Sequence, residues 1–147
     1  MKTFSKLLIG LICVGLAPTL FAHSATEDAE AGIKILFETS PLPAMTQQKS
    51  SLVFLVRDMR AEEGAEPVLG TIENAKVMIE HMDSGKSWGP FAVEEARRNP
   101  GRFELQKVFA YPGEYEVEIT FNRTGEERQV TLHWDTDIAD WNGLVLQ

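Results

Sequence analysis

The stretch that most constrains this chain is Gly113 to Phe121, GEYEVEITF. Tyr115, Val117, Ile119 and Phe121 fall on one side of an extended backbone, and Glu114, Glu116, Glu118 and Thr120 on the other. Successive side chains of a strand point to opposite faces, so this is a strand with one dry face and one wet face. A dry face needs a second layer over it, and two packed antiparallel sheets supply one. The preceding run from Arg102 also alternates, and Tyr111-Pro112-Gly113 joins the two, which predicts a hairpin over Arg102 to Phe121. The Pro-Gly step before Tyr115 fits a tyrosine corner, with Val117 where an antibody domain carries a cysteine, and fits a plain core tyrosine equally.

The remaining segments read as further short strands between turn signals. Ile33, Ile35 and Phe37 alternate as a first strand, closed by Ser40-Pro41-Leu42-Pro43, whose prolines exclude a central strand. Leu52 to Val56 are apolar at every position, as in an inner strand. Residues 60–70 form a loop. In the strand from Asn74 to Met82, Val77 and Ile79 share a phase with Ala75 and His81, while Met78 shares the other with Lys76, Glu80 and Met82. Asp83 to Lys86 is a turn, and residues 87–101 contain either a short strand or one helical turn. Val130, Leu132 and Trp134 alternate with Thr131 and His133 in a last strand, and the tail from Asp137, with Trp141, is expected to dock on the domain. The sum is an all-β fold, an immunoglobulin-like antiparallel β-sandwich of about seven strands.

The ends of the chain bear on where it works. Lys2 and Lys6 precede an apolar run from Leu7 to Leu16, and Thr19-Leu20-Phe21-Ala22 supplies a cleavage region, so residues 1–22 read as a cleaved signal peptide. The expected layout is then an acidic flexible leader at 23–32, the sandwich domain at 33–136 and a docked tail at 137–147. Removing 22 of the 147 residues leaves 125, enough for one core. Cys13 leaves with the signal, so the mature chain forms no disulfide and depends on its core for stability. Without Lys2 and Lys6, 12 basic residues face 22 acidic ones, a net charge of −10. That balance excludes nucleic acid and anionic membrane surfaces as natural partners. The expected location is the periplasm, with no stable membrane insertion after cleavage, and the expected partner is a periplasmic protein or a metal ion.

Four features resemble the YtkA-like periplasmic domains, which are related in style to the FixH proteins and more loosely to the CopC-like copper carriers. These are the strand ending at Arg57-Asp58, the Ala-Lys-Val strand from Ala75 to Met82, the Gly-Arg-Phe step at Gly101 to Phe103, and the Pro-Gly-Glu-Tyr turn at Pro112 to Tyr115. The resemblance spans roughly Ile33 to Trp134. It implies an extracytoplasmic, non-enzymatic domain of a type sometimes linked to copper handling or oxidase assembly. The chain departs from the family where Asp83-Ser84-Gly85-Lys86-Ser87-Trp88 replaces a Met-Gly-rich stretch, so no copper site is carried over.

Three histidines are the candidate metal ligands: His23, His81 and His133. Cleavage after Ala22 would make His23 the mature N-terminus, where its α-amino group and ring nitrogen together chelate Cu(II), an ion that favours nitrogen in a tetragonal arrangement. If the Asn74 strand and the last strand both flank the Glu114 strand, His81 and His133 lie near one end of the sheet. They would be about 10 Å apart, two strand spacings, with His133 outward and His81 in phase with the core. Methionines such as Met78 and Met82 offer thioethers to Cu(I) but are more often packing material. Glu114, Glu116 and Glu118 form the candidate partner-binding face, acidic and solvated unless a cation or basic surface meets it. No nucleophile elbow, phosphate-cradling glycine loop or paired-carboxylate cleft is present, so the chain reads as no enzyme. The functional expectation is an interaction or assembly module, with a copper-binding carrier using His23 as the alternative.

Overall fold

The computed structural model describes residues 24–142. Residues 1–22, where a signal peptide is expected, His23 and Leu144-Val145-Leu146 lie outside the described residues. Eight strands build the domain: β1 (Ser24–Asp28), β2 (Ile33–Ser40), β3 (Lys49–Asp58), β4 (Ile72–His81), β5 (Lys86–Ala92), β6 (Arg102–Val108), β7 (Gly113–Arg123) and β8 (Gln129–Ile138). They form two four-stranded antiparallel sheets, in the orders β1-β2-β3-β6 and β5-β4-β7-β8. This is the all-β, immunoglobulin-like sandwich expected from the alternation.

The core is the seam between the sheets. Ile33, Ile35 and Phe37 of β2 and Leu52, Phe54 and Val56 of β3 meet Val77 and Ile79 of β4, Tyr115, Val117, Ile119 and Phe121 of β7 and Val130, Leu132 and Trp134 of β8, all buried. Trp134 stacks on Phe37 with ring centroids 5.4 Å apart and tilts against Phe54 at 5.8 Å, which centres the packing on aromatic area. The inner-strand reading of Leu52 to Val56 holds: β3 lies between β2 and β6, and Val53 on its other face is fully buried too.

Two expectations are corrected. The stretch Arg102 to Phe121 is not a hairpin, because β6 pairs with β3 in one sheet and β7 with β4 and β8 in the other. The Tyr111-Pro112-Gly113 step carries the chain across the sandwich, and the crossing is pinned by a tyrosine corner in which the buried Tyr115 hydroxyl donates to the Tyr111 carbonyl at 2.7 Å. The leader is not structureless either: Ser24 to Asp28 run antiparallel to Phe37 to Ile33 as an edge strand. Its polar sequence hid it, since an edge strand needs backbone partners more than apolar ones.

β1 and β8 lie on the same side of the sandwich and are stitched together. The Trp134 indole Nε1 donates to the Ser24 carbonyl at 3.0 Å, and Arg128 pairs with Asp28. At one end, Arg123 grips Asp58 with two hydrogen bonds of 2.9 and 2.8 Å and also donates to the Ala31 carbonyl. These hydrogen bonds from Arg123 hold the Asp58 carboxyl below its ordinary range. Beyond β8, Ala139 bonds Ala44 and Thr46, and the Trp141 amide donates to Thr46 Oγ1 at 3.1 Å.

Candidate metal centre

The outer face of the second sheet carries the chemistry. β7 is one of its two inner strands, flanked by β4 and β8. Because Val117 and Ile119 face the core, Glu116 and Glu118 must face out, and antiparallel pairing places their neighbours. Glu118 stands between Met78 on β4 and His133 on β8, and Glu116 stands between Glu80 and Asp135. Glu114 follows opposite Asp137. Two of these rows therefore hold one imidazole, one thioether and four carboxylates, with no lysine or arginine.

His133 reaches back over β7. Its Nδ1 lies 3.7 Å from Glu116 Oε1 and 3.6 Å from Glu118 Oε2. One ligand atom from each of the three residues lies within 4.8 Å of the others, and no other group of His, Cys, Asp or Glu among the described residues converges in this way. Donors bound to a transition metal at about 2.0–2.2 Å sit roughly 3 Å from one another, so a small closure of three side chains forms a coordination face. The site is open: the side chains of His133, Glu116 and Glu118 are 52%, 38% and 32% exposed. One hemisphere of a bound ion would face the protein and the other solvent. A shallow depression of 150 Å³ adjoins it, lined by Met78, Ile79, Glu80, Ser87, Glu116 and Glu118.

The candidate ligands do not gather as the sequence arranged them. His81 is buried, and both ring nitrogens are engaged: Nε2 donates to the Pro112 carbonyl at 3.0 Å, and Nδ1 meets the Ser84 hydroxyl at 2.7 Å. It packs against Tyr111 and Tyr115, ties two turns together, and lies on the opposite face of the sheet from His133. A joint His81–His133 site is thereby ruled out by strand parity. His23 lies outside the described residues. Ser24, which follows it in the chain, lines a cleft of 360 Å³ with Glu38, Glu114, Asp135 and Asp137 over Phe37 and Leu42. One of the candidate histidines, His133, and two of the candidate partner-binding glutamates, Glu116 and Glu118, meet in one place. Strand parity put Glu116, Glu118 and His133 outward, but only the register of β8 on β7 makes them neighbours.

No protein-family model and no curated protein matches this chain. Solved structures do. A copper-bound variant of FetP from uropathogenic Escherichia coli strain F11 superposes with a TM-score of 0.54 at 11% identity, covering 80% of this chain and 95% of that one. The as-isolated FetP of the same strain, expressed recombinantly in the periplasm, gives the same score and identity and is covered over 94% of its length. At that identity the likeness establishes the two-sheet fold, and the triad stands on its own geometry.

Proposed function

We propose that this protein is an extracytoplasmic, YtkA-like copper-binding domain without catalytic chemistry, which holds Cu(II) through Glu116, Glu118 and His133. The convergence of those three side chains on an otherwise acidic face carries the reading. Imidazole and carboxylate suit several divalent ions, and among them Cu(II) binds such donor sets most tightly. The copper-bound FetP, which shares the fold, supports copper as the first ion to test. An open coordination hemisphere suits delivery to another protein better than retention, and the surrounding carboxylates favour a partner with a basic surface. The interaction-module and carrier readings thus describe one face.

A second reading keeps His23. A cut after Ala22 would leave it directly ahead of Ser24 and the carboxylates of the neighbouring cleft, which supply oxygen donors for an N-terminal chelate. One experiment separates the two: Cu(II) titration of the mature protein by calorimetry and electron paramagnetic resonance, with His133→Ala and His23→Ala beside the wild type. Loss of affinity in His133→Ala with His23→Ala unaffected supports the outer-face site. The reverse pattern supports the N-terminal chelate, and no binding by the wild type overturns both.

A further inference from the structure

The outer face holds a soft donor beside the hard ones. Met78, Glu118 and His133 occupy one row across β4, β7 and β8, so thioether, carboxylate and imidazole project from the same side of neighbouring strands. Met78 also lines the shallow depression together with Glu116 and Glu118. It is only half-buried.

The local backbone makes room for its sulfur. β5 pairs Trp88 with Ile79 and Phe91 with Val77, so Gly89 and Pro90 together oppose Met78 as a bulge. Gly89 has a φ of +115°, and a Cβ there would stand 2.6 Å from the Val77 carbonyl oxygen and 3.0 Å from Met78 Sδ. The glycine leaves the space that the thioether occupies. Methionine has three rotatable side-chain bonds, so the sulfur can turn from Gly89 toward β7, where Glu118 stands opposite Met78. Thioethers select Cu(I), imidazole binds both copper states, and carboxylates favour the harder ion.

We propose that Met78 is a fourth donor of this centre, acting with His133 on cuprous ion, so that the face holds Cu(I) as well as Cu(II). The proposal rests on the Glu116–Glu118–His133 reading. It is tested on the mature chain by anaerobic competition for Cu(I) against a chromophoric bathocuproine chelator, and by X-ray absorption of the Cu(I)-loaded protein. Met78→Leu conserves volume closely enough to keep the fold, which circular dichroism checks. Met59→Leu controls for any exposed thioether, since Met59 lies outside this sheet. The expected result is that Met78→Leu lowers Cu(I) affinity at least about tenfold more than Cu(II) affinity and removes the copper–sulfur shell, while Met59→Leu does neither. Wild-type Cu(I) affinity in Met78→Leu, or a wild-type spectrum with no sulfur shell, overturns it. If Cu(II) binding is lost in His133→Ala while Cu(I) binding survives Met78→Leu, this proposal alone fails; if His133→Ala binds Cu(II) as the wild type does, the underlying triad fails and takes this proposal with it.

Discussion

Replacing Glu116 by glutamine should make the metal-free protein more stable and the copper-loaded protein less so. Glu116 stands between Glu80 and Asp135 in one row across three strands. Like charges directly opposite on a sheet destabilise it by roughly 0.2–1 kcal/mol per pair. The Glu116 side chain is 38% exposed, so water and salt screen both pairs toward the lower end, and any charge on His133 offsets part of the remainder. The net gain for Glu116→Gln is then about 0.2–0.4 kcal/mol, or roughly 1–2 °C in Tm for a domain of this size. Thermal melts in chelator at low ionic strength should show it. In 1 M salt the Debye length falls to about 3 Å and the difference should largely vanish. Saturating Cu(II) should reverse the order, because a ligand at about a hundredfold its Kd adds roughly 2.7 kcal/mol to the state that binds it, and the variant has lost one anionic donor. A metal-free variant that melts below the wild type at low salt, or a difference indifferent to salt, would refute the idea that this face is electrostatically frustrated until a cation arrives.

Two further outcomes follow from the scaffold. Tyr115→Phe removes a hydroxyl that donates to the Tyr111 carbonyl at 2.7 Å, and should lower stability by about 1–2 kcal/mol in urea denaturation; a midpoint equal to the wild type would deny the corner its role in pinning the crossover. Asp58 is held below its ordinary pKa by hydrogen bonds from Arg123. A depressed carboxyl stabilises the fold above its unfolded pKa, about 4, and that contribution is lost as pH falls through the lower folded value. Asp58→Asn should therefore flatten the acid limb of a stability–pH profile between about pH 5 and 2, and parallel profiles for variant and wild type would count against the linkage.

Strand identity was legible here because alternation survives in the sequence wherever one face is dry. Tyr115, Val117, Ile119 and Phe121 announce β7, and the same parity placed His81 inward and His133 outward. What parity cannot carry is partnership. The Arg102 to Phe121 stretch looks like a hairpin because a Pro-Gly step between two alternating runs also serves a crossing between sheets, and only the corner bond of Tyr115 marks the difference. Ser24 to Asp28 carries only Ala25 as an apolar residue because an edge strand is held by backbone pairing with β2 and by Arg128 and Trp134, which are about a hundred residues away. The triad escaped notice for a related reason. Its members were each singled out, but a register of β8 one residue different would have turned His133 into the core and dissolved the site.

The stitching of β1 to β8 bears on how the chain becomes a protein. The first strand of the sandwich is held by Trp134 and Arg128, which lie 110 and 100 residues after their partners Ser24 and Asp28, so the sandwich cannot close along that side until β8 is available. Contacts of this span form late and slowly, since a long loop must be ordered before they repay it. A chain emerging from its N-terminal side would remain pliant there until β8 has followed. The seam therefore acts as a clasp that shuts once, after the rest of the domain is in place.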